Sequence, residues 1–117
     1  MADPVADYLQ HRVVIDTQGP LLYIGTLTAV DARYYHLADA DVHDRHDGHS
    51  TKEVYISNAA LLERAGSRNV NRRTVLVERA VVASISRLAD VVLEAEDEED
   101  EDRIADAGET RPRVGGR

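Results

Sequence analysis

The side chains best equipped for coordination chemistry lie between residues 36 and 49. There His36, His43, His46 and His49 alternate with Asp39, Asp41, Asp44 and Asp47. Imidazole and carboxylate are both competent ligands for zinc, nickel and other divalent ions. From His43 onward the histidines recur every third residue, so a loop could turn His43, His46 and His49, with Asp47, onto one ion. Arg45 in the middle of the run opposes a tight site, and a solvated polar loop accounts for the same residues without a metal. Histidine titrates near neutrality, which would make such a loop pH-responsive.

A second chemistry is carried by Arg64, Arg68, Arg72 and Arg73, interleaved with Asn69 and Asn71. Guanidinium and amide side chains of this kind contact phosphate. They would equally hold the acidic C-terminal segment, whose charge run imitates a nucleic-acid backbone and would act as a tethered competitor. A solvated loop without a partner is the third reading. Catalysis finds little support. The chain has no cysteine, no glycine loop able to cradle phosphate and no serine in a nucleophile-elbow context. Neither an enzyme nor a cofactor is expected.

These groups must be positioned by a small fold. The chain has 117 residues and 43% hydrophobic residues, yet no Phe and no Trp and only 5 Tyr, so its core is built from Val, Leu, Ile and Ala. Small cores of this kind are commonly reinforced by oligomerisation. The first residues, MADPVADYLQHR, lack the apolar run of a signal peptide, and no window approaches the roughly 20 apolar residues of a membrane span. A soluble, cytoplasmic protein without membrane contact is expected. Of the net charge of −8, residues 94–117 contribute 10 acidic and 4 basic residues, against 12 and 10 in the rest. The folded part is therefore nearly neutral, and an acidic, disordered tail is expected from 94 to 117. A single domain is expected over 1–93.

Leu21 to Val42 is the richest β-forming stretch, with Tyr23, Ile24, Thr26, Thr28, Val30, Tyr34 and Tyr35 in a run free of proline. It reads as two long strands meeting at Asp31. Its apolar parity slips, with Leu21, Tyr23 and Leu27 on one face and Val30, Tyr34 and Ala38 on the other. Only a bend or bulge keeps both sets inside, and Gly25 is the expected device. Around this pair the pattern predicts a helix over Pro4 to Gln10 and a strand over Arg12 to Thr17. A short strand over Glu53 to Ser57 follows, then a helix capped by Asn58 and stopped at Gly66. Ser67 to Arg73 reads as a basic loop. Thr74 to Glu78 and Val81 to Leu88 read as a closing strand pair joined at Arg79-Ala80.

This order resembles that of the Sm-like family (Sm, LSm and Hfq proteins), over roughly residues 5–88 with an insert at about 43–72. Gly25, Leu27 and Asp31, with Val30 before the aspartate, match the spacing of the first Sm motif. Val77, Glu78, Arg79, Ala80, Val81, Val82, Ala83, Ser84 and Ile85 lie in the frame of the second. The resemblance implies a mainly β fold: a small, strongly bent, five-stranded open barrel with a short N-terminal helix and an inserted short helix. It also implies edge-to-edge assembly into a homo-oligomeric ring, with RNA as the candidate partner.

The chain departs from the motifs where the family reads RNA. The Met-Asn pair of RNA-binding members is replaced by Tyr34 and Tyr35, the stacking position falls on Arg33, and the Arg-Gly of the second motif becomes Glu78-Arg79. A carboxylate there repels phosphate and removes a guanidinium, which argues against uridine recognition of the family type. Arg33 and Tyr35 retain the ability to stack a base, since every base offers a π face. The simpler alternative has Tyr34 filling the barrel and Tyr35 packing at a subunit edge. The sequence thus points to a non-enzymatic, ring-forming scaffold or binding module with a non-standard RNA site at Arg33, Tyr35, Arg79, Arg68, Arg72 and Arg73. The alternative is a homo-oligomeric metal- or pH-responsive module built on His43, His46, Asp47 and His49, without nucleic acid.

Overall fold

The structure, a computed structural model, describes residues 3–47 and 51–93. The element order is a short 3-10 helix (Pro4–Tyr8), β1 (Arg12–Thr17), β2 (Leu21–Val30), β3 (Tyr34–Asp44), α1 (Lys52–Arg64), β4 (Arg72–Glu78) and β5 (Val82–Arg87). Short 3-10 turns at Arg79–Val81 and Leu88–Asp90 precede and follow β5. The strands form one antiparallel, unclosed sheet in the order β4-β3-β2-β1-β5. The mainly β architecture expected from the sequence, five strands with an N-terminal helix and an inserted one, is the architecture observed.

β1 shows why so small a chain folds. Val13, Val14 and Ile15 are all buried, although neighbouring residues of a strand point to opposite faces. Both faces of the sheet are therefore covered. Val13 and Ile15 join Val5, Leu27, Tyr35, Leu37, Ala40 and Val77 in one cluster. Val14 joins Leu22, Ile24, Ala60, Leu88 and Leu93 in a second, with Tyr55, Ile56 and Ala59 of α1 packed on it.

The bend that makes this possible is visible in the register of β2 and β3. Ile24 pairs with Asp41 but Thr26 with Ala38, so β3 carries an extra residue opposite Gly25; Leu27 pairs with Leu37 but Ala29 with His36, so β2 carries one at Thr28. The first bulge is made at Asp39, whose φ is +49°. It is pinned by Arg12, whose Nη1 donates to the Asp39 carbonyl at 2.6 Å. The bulge shifts the parity of β3, so that Leu37 and Ala40 both enter the first cluster while Asp41 turns toward α1. Gly25 faces Ala40 across the bend. A Cβ at Gly25 would lie 3.1 Å from the Ala40 Cβ, 3.2 Å from its Cα and 3.3 Å from the Ala38 carbonyl oxygen.

Several sequence expectations are corrected. Glu53 to Ser57 is not a strand: α1 is one helix from Lys52 to Arg64, capped by Thr51 rather than Asn58, with the Thr51 hydroxyl accepting from the Val54 amide at 3.2 Å. The β-branched run misleads because Tyr55, Ile56, Ala59 and Ala60 recur at helical spacing and pack on the sheet. β4 and β5 are not paired with each other. The turn between them carries the chain from one sheet edge to the opposite one, with the Gln18 amide donating to the Val81 carbonyl at 2.9 Å. β4 begins at Arg72, so Arg72 and Arg73 are strand residues, not loop. The N-terminal helix is a 3-10 helix ending at Tyr8, which leaves Leu9 at the surface.

The close approach at the bend predicts the cost of filling it. Because the atoms met are partly backbone of β3, Gly25→Val should destabilise the protein by about 1–3 kcal/mol, read from the urea midpoint. Gly19→Ala, which meets nothing within 4 Å, should leave that midpoint unchanged.

Candidate nucleic-acid interface

The β2–β3 turn and the turn after β4 meet at one end of the sheet, and Asp31 organises the first of them. One carboxylate oxygen accepts from the Arg33 amide at 2.9 Å and the Tyr34 amide at 2.7 Å, while the other lies 2.8 Å from His36 Nε2. The His36 contact, followed by the two amides, holds the Asp31 carboxyl at about 2, below its ordinary 3.8. Aspartate favours such turns because its side chain accepts from backbone amides just ahead.

Arg79 fastens the second turn to the first. Its amide donates to the Arg33 carbonyl at 2.8 Å, its Nη1 to the Asp31 carbonyl at 2.9 Å, and its Nη2 to the Asp3 carboxylate at 3.2 Å. Its guanidinium also lies 5.0 Å from the centroid of the Tyr35 ring, within cation–π range. Tyr35 itself is buried in the first core cluster. The expectation that it packs at a subunit edge is therefore corrected: Tyr35 is the interior tyrosine and Tyr34 the half-buried one, because the pleat turns Tyr35 and Leu37 of β3 inward with Val77, the partner of Tyr35 on β4. Tyr35 offers no open face for a base, and Arg79 is committed to bracing the two turns.

Arg33 is different. Its side chain is 71% exposed, its guanidinium lies 5.2 Å from the Tyr34 ring centroid, and its Nε and Nη2 both donate to Glu78 Oε2 at 3.2 and 3.1 Å. Glu78, opposite Tyr34 in the β3–β4 register, is half exposed. The turn end thus presents one outward-facing guanidinium, held in a fork by one carboxylate.

The basic stretch does not converge on the same place. Arg68 pairs with Glu63 of α1. Arg64 donates to the Val91 carbonyl at 3.1 Å, beside the chain segment that leads to residue 94. Arg72 and Arg73 start β4 and line, with Asp39, Val70 and Asn71, an open groove of about 440 Å³.

The histidine loop is likewise divided. His43 belongs to β3 and stacks on Tyr55 of α1, centroids 3.9 Å apart and planes 12° from parallel. Tyr55 donates to the buried Asp41, which also accepts from Asn71 Nδ2 at 3.2 Å; burial first, then Asp41, pushes the Tyr55 hydroxyl up from its ordinary value. Asp44 accepts from the His46 amide at 2.9 Å, His46 and Asp47 are exposed, and His49 lies outside the described residues. Among the described residues no group of three or more metal-binding side chains converges.

Two positioning roles escaped the sequence reading, that of Asn71, read there as a phosphate contact, and that of Lys52. Asn71 bonds the Val42 amide and carbonyl at 2.9 and 3.0 Å, clamping β3 at the start of β4. Lys52 donates to Asp16 at 2.6 Å and to the Thr17 and Gly19 carbonyls at 3.2 and 2.9 Å, tying α1 to the β1–β2 turn. Neither belongs to a motif; both act across more than 25 residues.

No family model matches the chain, and no curated protein matches it. Among solved structures, it is similar to a Pyrococcus abyssii Sm protein in complex with a uridine heptamer, at 16% identity and a TM-score of 0.48, covering 74% of this chain and 99% of that one. It is also similar to a chain of the NatC complex bound to CoA (17% identity, TM-score 0.45, 73% of this chain and 84% of that one). A chain of the NatC complex bound to Gag peptide and CoA is similar at 18% identity and a TM-score of 0.44, over 69% and 86% of the two chains.

The depressed Asp31 carboxyl has a signed consequence. A group held lower in the folded state stabilises fully above its unfolded value and loses that contribution as pH falls through its folded one. For Asp31 the window runs from 3.8 down to about 2. The urea midpoint of the wild type should carry an acid-dependent component between pH 4 and 2 that Asp31→Asn lacks; parallel pH profiles would show that the turn contacts contribute nothing.

Proposed function

We propose that the chain is a divergent Sm-like protein, a non-catalytic scaffold that assembles with copies of itself into a ring and binds single-stranded RNA through a non-standard site. The observation that carries the reading is the placement of β4 and β5 at opposite, unpaired edges of a strongly bent sheet. An open edge invites another strand. Because the two edges differ, copies join head to tail, and a head-to-tail contact closes into a ring when its rotation allows. Leu76 on β4, 57% exposed in the single chain, becomes part of that contact.

The placement of the residues that match the first Sm motif supports the family reading: Gly25 sits at the bend, Leu27 in the core, and Asp31 where the two turns meet. RNA as the ligand is supported by the exposed Arg33 and by Arg72 and Arg73, which offer guanidinium groups to phosphate and base. Arg79 and Tyr35 drop from the contact set to the bracing beneath it. The acidic segment from residue 94 competes with RNA for these cations as a tethered polyanion, and a cytoplasmic setting belongs to the same proposal.

Fluorescence polarisation with labelled oligo-U and oligo-A RNA tests the ligand. Binding should weaken steeply between low and high salt and tighten several-fold when residues 94–117 are removed. Salt-sensitive binding by neither form would overturn RNA as the ligand.

A further inference from the structure

The outward-facing polar groups at the turn end that do not brace it are Arg33 and Glu78, since Asp31 is engaged by two amides and His36, and Arg79 by Asp3, Asp31 and the Tyr35 ring. Both Arg33 donors reach the same Glu78 oxygen, Oε2. Among the described residues Oε1 accepts no hydrogen bond, and Arg33 Nη1 has no partner. A half-exposed carboxylate is thereby tied to Arg33, with Oε2 already accepting twice and Oε1 open.

The bases differ sharply in what they offer such a group. Uracil presents one N–H between two carbonyls, which meet a carboxylate unfavourably. Adenine and cytosine each present one amino group beside a ring-nitrogen acceptor. Guanine alone presents two adjacent donors, N1–H and N2–H, which can converge on one carboxylate oxygen as the Arg33 fork does on Oε2. Unstacked bases of single-stranded RNA expose this edge.

Resting on the RNA-binding reading above, we infer that the Arg33–Glu78 pair makes this site a reader of guanine. Glu78 Oε1 accepts from the guanine N1–H and N2–H, while Arg33 holds Oε2 and its Nη1 remains available to a phosphate oxygen. The same carboxylate that rejects uracil becomes the specificity element. Matched bidentate contacts of this kind discriminate by roughly ten-fold or more.

The test compares labelled hexamers UGUGUG, UAUAUA, UCUCUC and UUUUUU on the full-length chain at low salt. UGUGUG should bind roughly ten-fold tighter than the other three. Glu78→Gln, nearly isosteric at an exposed position, should erase that preference; Arg33→Ala should weaken all four. Equal affinity for the four hexamers, or a guanine preference that survives in Glu78→Gln, would overturn the guanine assignment and leave the RNA reading standing. Binding of none of the four would overturn the RNA reading itself.

Discussion

Everything in this fold depends on one close crossing, where Gly25 of β2 passes Ala40 of β3. A side chain at Gly25 would hold the strands apart, and without the bend there a sheet of this size would bury one face only. With the bend, the residues of β1 alternate between two clusters, and Val, Leu, Ile and Ala supply a core that contains no Phe or Trp. Arg12 and the Asp39 bulge hold the crossing from the side. α1 then covers the outer face, tied down by Lys52 at its start and by the Tyr55–Asp41 contact over its first turns.

The same bend leaves β4 and β5 apart, and the turn joining them must cross the end of the sheet. Arg79 makes that crossing rigid through the Asp31 and Arg33 carbonyls, the Asp3 carboxylate and the Tyr35 ring. A guanidinium with its donors spent in this way is architecture. The charge that remains for a ligand is set by its neighbours, Arg33 and Glu78, whose fork neutralises the pair while leaving one carboxylate oxygen open.

Much of the sheet was legible because local preference and tertiary demand agree there. The β-branched content of β1 to β3, the parity slip and the glycine all name a bent strand pair, and the bulges occur within that pair. α1 was misread at its start because Val54, Tyr55 and Ile56 carry strand preference, which the packing of Tyr55, Ile56, Ala59 and Ala60 overrides. The β4–β5 pairing was misread because a short connection implies a hairpin, and only the three-dimensional bend sends the two strands to opposite edges. The site was legible as residue types but not as roles. Arg79 finds Asp3 across 76 residues, Arg33 finds Glu78 across 45, and Tyr35 turns inward; no spacing in the chain encodes these contacts.

The central claim is that this bent sheet, with unlike open edges, closes on copies of itself. Native mass spectrometry of the full-length chain tests it most directly. The account predicts a single closed stoichiometry that persists on dilution. A monomer at all concentrations would contradict it.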